Sequence, residues 1–232
     1  LAVARMSQVH DEVSRAYEGY RFNVVYRTLY DYIITELSND YLNATKDRAY
    51  CEGKGSTARR SVQTAWSYIL KMLVHDFQPI LAYTCDEVMA YLPQSLRDGQ
   101  THAALLDWFE APLAPEGYEP LLATYRALGE ARSAFTKAYD AALANGVVTE
   151  KTTQATHAEL TLPHGAFALL TGGGAPDLAE AFVCSDVYAH EGDELACEVL
   201  PAEGDKCPRC WNWRKLGADG LCARCHDVVE SL

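Results

Sequence analysis

Two Cys-x-x-Cys pairs near the end of the chain constrain it more than any other feature. They read Cys207-Pro208-Arg209-Cys210 and Cys222-Ala223-Arg224-Cys225, with eleven residues between them. A tail this short cannot bury an adequate apolar core. Four thiolates converging tetrahedrally on Zn²⁺ replace such a core and supply folding free energy directly. Gly217 and Gly220 sit where a tight return between the knuckles needs them. Four cysteine ligands leave no open coordination position, so the expected zinc, one per chain, is structural and activates no water. The run Cys222-Ala223-Arg224-Cys225-His226 also fits covalent c-type haem attachment. That reading leaves Cys207 and Cys210 unexplained and needs an exported chain. His226 can replace a cysteine as ligand, but four cysteines suffice without it. The other cysteines, Cys51, Cys85, Cys184 and Cys197, are scattered. Residues Leu1 to Met6 lack the basic start and apolar block of an export signal, so a disulfide framework is not expected.

Between the knuckles lies Trp211-Asn212-Trp213-Arg214-Lys215. Aromatic faces stack on unpaired bases, and Arg and Lys neutralise phosphates, as single-stranded RNA recognition requires. The competing reading has one tryptophan covering the metal site and the cations as ordinary surface. The net charge of −12 argues globally against nucleic acid, but its distribution does not. Residues 1–75 carry ten Lys/Arg and eight Asp/Glu, residues 76–205 carry five and twenty-one, and residues 206–232 carry five and three. The two ends are each +2 and the middle is −16, so an RNA contact should use the ends. A Zn²⁺ with four thiolates adds −2 to the tail. Binding then depends on where Lys206, Arg209, Arg214, Lys215 and Arg224 point. Arg59-Arg60 and Lys46-Asp47-Arg48 can grip phosphates and are equally compatible with solvated faces.

The first half reads as helix. Val9, Val13, Ala16, Tyr17 and Tyr20 share one face; Phe22, Val25, Tyr26, Leu29, Ile33, Leu37 and Tyr41 form a second stripe; Val62, Ala65, Trp66, Ile69, Leu70 and Leu73 form a third. Tyr26, Tyr30, Tyr32 and Tyr41 are expected mostly in the core or at its boundary. A short fourth helix carries a capping box, Thr84 with Glu87, and stops near Pro93. Residues 93–119 read as a long connection. A fifth helix begins near Pro120, runs through Leu121, Tyr125, Leu128, Phe135 and Tyr139, and stops at Asn145-Gly146. Residues 158–162, 181–188 and 195–200 read as strands, with the Gly172-Gly173-Gly174 stretch as a break lacking the Lys-Ser/Thr of a phosphate cradle. The histidines form no ligand pair at helical spacing, and no Ser/His/Asp arrangement stands out. No run of eighteen apolar residues appears, so no membrane contact is expected.

Three stretches carry a resemblance. Leu37-Ser38-Asn39-Asp40-Tyr41-Leu42 with Lys46-Asp47-Arg48-Ala49-Tyr50, and Pro79-Ile80-Leu81-Ala82-Tyr83-Thr84-Cys85-Asp86-Glu87-Val88, resemble the anticodon-binding helical domain of class I isoleucyl-tRNA synthetases. The tail from Gly204-Asp205-Lys206 through both cysteine pairs is similar to the terminal zinc finger of the bacterial enzymes. The resemblance implies a mainly α chain: a helical anticodon-binding domain over 1–146, a small mixed α/β subdomain over 147–204 and a four-cysteine zinc finger over 205–232. It implies a C-terminal piece of a cytoplasmic, monomeric synthetase that binds tRNA(Ile). The catalytic domain, with its ATP and Mg²⁺, lies elsewhere in the parent enzyme, and the HIGH and KMSKS signatures are absent from these residues. The lack of an initiator Met agrees with that expectation. Zinc falls to Cys207, Cys210, Cys222 and Cys225, while Trp211, Trp213, Arg214, Lys215 and Arg209 are the candidate tRNA contacts. Formamidopyrimidine-type DNA glycosylases end in a similar finger, and a non-catalytic zinc-ribbon adaptor is the third reading. The long early helices and acidic middle fit the glycosylase badly.

Overall fold

A computed structural model describes residues 1–108 and 111–231. The chain is mainly α, with two small sheets. Its order is α1 (Ala2–Glu18), α2 (Phe22–Asp31), a π-helical segment (Tyr32–Leu42), α3 (Asn43–Cys51), α4 (Thr57–Phe77), α5 (Ala82–Tyr91) and α6 (Pro115–Ala144). There follow β1 (Thr156–Pro163), α7 (His164–Thr171), α8 (Leu178–Phe182), β2 (Asp186–Gly192), β3 (Ala196–Pro201), β4 (Asp205–Lys206), β5 (Trp213–Arg214) and α9 (Ala223–Glu230). Contacts group these elements into two compact units, one of residues 1–37 and 61–122, the other of residues 38–60 and 123–232.

The first unit is built on the α1 stripe. Val9, Val13 and Ala16 are fully buried, joined by Met6, Val25, Leu29 and Met72. Within this core His10 Nδ1 lies 2.6 Å from Asp76 Oδ1, and both side chains are buried. The Tyr17 hydroxyl donates to the Asp76 carbonyl at 2.7 Å. Several expectations need correction here. Tyr20 lies beyond α1 and is exposed, as are Phe22, Tyr26 and Tyr30, so α2 turns all three of its aromatics to solvent. Tyr32, not Ile33, is buried, and Leu37 follows it five residues later. The π winding of Tyr32–Leu42 has more residues per turn than an α-helix, so the inward positions depart from α-helical spacing. Thr35, inside this segment, and Thr45, in α3 just beyond it, each donate the hydroxyl to the carbonyl four residues back. In α4, Val62, Ile69, Met72 and Val74 are buried, whereas Leu70 is exposed.

Thr84 is not a cap. The turn Phe77–Leu81, closed by Ile80 and Leu81 N–H groups on the Phe77 carbonyl, starts α5 at Ala82. The helix still ends before Pro93. The connection after it contains two short 3₁₀ turns, Gln94–Leu96 and Ala103–Leu105; its residues 109 and 110 lie outside the described residues. Helix α6 begins earlier than expected, with Pro115 as the first-turn proline and Pro120 inside the helix. Leu121 is exposed, while Tyr118 and Leu122 pack with Ala4. The stop at Asn145-Gly146 holds: Gly146 has φ +69° and its N–H meets the Leu143 carbonyl.

In the second unit, β1 lies between β2 (parallel) and β3 (antiparallel). Ala158, Leu160 and Leu162 alternate inward onto Phe135, Leu170, Phe182 and Val199. The stretch read as a strand over 181–188 splits: Leu178–Phe182 is helix, capped by Asp177, and the strand starts at Asp186. Val183 ends α8 in the left-handed region at φ +57°, a conformation costly for a β-branched residue.

Candidate metal centre and nucleic-acid interface

The tail folds around its cysteines by two backbone knuckles. In the first, the Cys207 N–H donates to the Asn212 carbonyl (2.9 Å) and the Trp211 N–H donates to the Cys207 carbonyl (2.8 Å). That turn puts Trp211 at φ +67°, a strained position for a bulky residue. Strands β4 and β5 pair Lys206 with Trp213 across the knuckle. Gly204, at φ +88°, is required beside them, since a Cβ there would lie 2.6 Å from the Arg214 carbonyl. In the second knuckle the Gly217 N–H meets the Leu221 carbonyl, and Cys222 caps the start of α9.

Cys207, Cys210, Cys222 and Cys225 are all buried, and their four Sγ atoms lie within 4.8 Å of one another. The Cys210–Cys222 separation is 3.8 Å. A tetrahedron with metal–sulfur bonds of about 2.3 Å has edges of about 3.8 Å, so the cluster can hold a metal ion of zinc's size. Its chemistry agrees. Burial opposes the thiolate of Cys207, yet backbone N–H groups of Cys210, Cys222 and Arg209 outweigh it and bring the thiol down to about 6. Burial pushes Cys210 up instead. Four thiolates this close repel one another unless a cation lies among them. His226 faces away from this role: its ring nitrogens meet Asp219 (2.8 Å) and Glu230 (3.4 Å), and the Asp219 contact raises its pKa.

The candidate RNA residues separate into two groups. Trp211 is 58% exposed. Lys206 Nζ lies 5.4 Å from its ring and 5.5 Å from that of the half-buried Trp213, so one ammonium is shared by two indoles. Lys215, two residues on from Trp213, is exposed. Arg209 and Arg214 are occupied within the chain. Arg209 donates to the Cys51 carbonyl at 2.6 Å and points a second contact at Cys225 Sγ, 3.6 Å away. Arg214 donates to Asp186 and to the Ser185 carbonyl, both at 2.6 Å. The Trp213 N–H donates to Ser185 Oγ, and the Ser185 hydroxyl in turn donates to the Gln154 carbonyl. These anchors fix the aromatic loop on the sheet. Sequence reasoning missed Cys51, Asp47, Glu52, Ser185 and Asp186 as supports of the knuckle. Their partners lie 28 to 177 residues away, so no local pattern points to them.

Residues 1–153 match the model of the anticodon-binding domain of tRNA ligase. The chain belongs to that family. Across nearly its whole length it is similar to isoleucine–tRNA ligases: 34% identical to that of Symbiobacterium thermophilum over 98% of the chain, 34% to that of Nitratidesulfovibrio vulgaris (strain DSM 19637 / Miyazaki F) over 97%, and 32% to that of Desulfitobacterium hafniense (strain DSM 10664 / DCB-2) over all of it. The chain spans about a quarter of the length of these curated relatives, 26% of each. It is thus the anticodon-binding part of a tRNA ligase, with a cysteine cluster able to hold a metal. The family match covers the helical region that a glycosylase or a bare zinc-ribbon adaptor leaves unexplained. No helix among the described residues is long and apolar enough to cross a membrane.

Proposed function

We propose that this chain grips the anticodon stem-loop of isoleucine tRNA for an isoleucine–tRNA ligase. The ATP- and Mg²⁺-dependent attachment of isoleucine takes place in a separate catalytic part. In this reading the chain works in the cytoplasm as one piece of a monomeric enzyme. Its helical domain over 1–146, mixed subdomain over 147–204 and zinc finger over 205–232 act together on one RNA. The observation that carries the reading is the exposed Trp211, held by a strained knuckle, with Lys206 shared between its ring and that of Trp213. Zinc bound by Cys207, Cys210, Cys222 and Cys225 holds the knuckle closed. Trp211 offers a face to an unpaired base, and the neighbouring ammonium groups meet phosphates. Arg209 and Arg214 position the loop through Cys51, Ser185 and Asp186.

The test is a binding titration of the zinc-loaded chain with isoleucine tRNA and with the same tRNA carrying an exchanged anticodon. The expected result is a preference of about tenfold or more for the native anticodon, equivalent to about 1.4 kcal/mol. Equal binding to both at every salt concentration would remove base reading from this chain.

A further inference from the structure

The segment Ser38–Arg60 is richer in cations than its composition suggests, because its acids are answered from elsewhere in the same unit. It holds Lys46, Arg48, Lys54, Arg59 and Arg60 against Asp40, Asp47 and Glu52. Asp40 pairs with Arg132 of α6 at 3.3 Å. Asp47 receives both terminal nitrogens of Arg224, one of them at 2.7 Å, and Glu52 receives the same guanidinium at 3.3 Å. Arg48 pairs with Glu180. Each of the three acids of the segment thus faces a guanidinium from outside it, Arg132 for Asp40 and Arg224 for Asp47 and Glu52. Lys46 and Lys54 are exposed; Lys46 meets the neutral amide of Asn43, and Arg59 meets the neutral carbonyl of Glu52.

Arg224 lies between the two cysteines of the second knuckle. A bidentate guanidinium–carboxylate pair is geometrically demanding, so Arg224 reaches Asp47 only while the knuckle keeps its shape. Arg209, from the first knuckle, takes the Cys51 carbonyl at the end of α3. Both knuckles therefore reach into this one segment.

We infer that Ser38–Arg60 is a phosphate-binding surface for the RNA backbone, switched to a cationic state by Arg224 of the metal knuckle. Lys46, Lys54 and Arg59 neutralise phosphates, while Arg224 cancels Asp47 and Glu52, which otherwise repel them. The inference rests on the RNA-binding reading above, and it adds a contact that carries affinity without reading sequence.

The experiment compares the zinc-loaded chain with its Lys46→Ala/Lys54→Ala variant on isoleucine tRNA and its anticodon-exchanged form, from about 50 to about 200 mM salt. Each lost phosphate contact should flatten the plot of log affinity against log salt by about 0.9. The loss should be the same for both tRNAs, so the anticodon preference survives. An unchanged slope in a wild-type background that binds tRNA overturns this inference alone. Failure of the wild-type chain to bind either tRNA overturns the RNA reading and this inference with it. A second variant tests the masking. Arg224→Ala should weaken both tRNAs equally, and adding Asp47→Asn and Glu52→Gln should restore the affinity while zinc content, measured in the same samples, stays constant. No restoration at full zinc content would contradict the role given to Arg224.

Discussion

The unit of residues 1–37 and 61–122 and the terminal knuckle solve the folding problem in opposite ways. The first buries Met6, Val9, Val13, Val25, Leu29 and Met72 completely, and the deeply buried His10–Asp76 contact sits inside that apolar mass. The knuckle buries four sulfurs, with Cys51, Leu216 and Leu221 as its partly buried apolar neighbours. Its other supports are arginines reaching back to Cys51, Asp47, Glu52 and Asp186. Area removed from water stabilises the one, and charge-assisted hydrogen bonds around a cysteine cluster able to hold a metal stabilise the other.

The largest expected effect breaks this contrast at the metal. Structural zinc contributes about 10–16 kcal/mol in isolated finger peptides. Chelation, or Cys222→Ser, should release zinc and abolish amide protection across residues 205–231. Protection in α1 and α4 should persist, and hydrogen exchange with metal analysis reads both. Collapse of α1 and α4 on chelation would show that the two regions are not independently held. Next comes the buried pair. Asp76→Ala removes the carboxylate partner of the buried His10 and should cost about 3–5 kcal/mol in urea unfolding, with zinc content unchanged. A loss under about 1 kcal/mol would mean that the pair matters little to the core.

A smaller effect separates the regions by pH. Burial, with Lys71 nearby, lowers His75 from 6.5 to about 4. The unfolded chain binds that proton more readily than the folded one over this window. Stability should therefore fall as the pH drops from 6.5 towards about 4, and His75→Leu should flatten the fall. Thermal melts of both proteins across that range check the sign. The smallest effect lies on the knuckle's surface. Trp211→Ala should leave the melting temperature and zinc content alone and remove about 1–3 kcal/mol of RNA affinity, the range for one stacked base.

The parts legible in the sequence are those with a local signature. The cysteine spacing pointed to the cluster, the α1 stripe to the core, and Asn145-Gly146 to the end of α6. What escaped depends on distant partners or on a change of winding. The π segment moves the inward position from Ile33 to Tyr32, because five-residue spacing cannot be told from four in a stretch rich in Ile, Leu and Tyr. Lys46-Asp47-Arg48 reads locally as a phosphate grip or a solvated face, yet Asp47 pairs with Arg224, 177 residues on. By charge alone, Arg209 and Arg214 suggest RNA contacts. The fold commits them to Cys51, Ser185 and Asp186, and composition cannot show where a guanidinium points.

If the knuckle proposed above carries the choice among tRNAs and the remaining contacts carry only affinity, the affinity ratio between isoleucine tRNA and its anticodon-exchanged form, before and after zinc is removed, shows it. That ratio should be about ten or more with zinc and fall to about one without it, leaving weak, salt-sensitive binding to both. A ratio that survives complete removal of zinc would contradict that expectation and place the reading of the anticodon outside the knuckle.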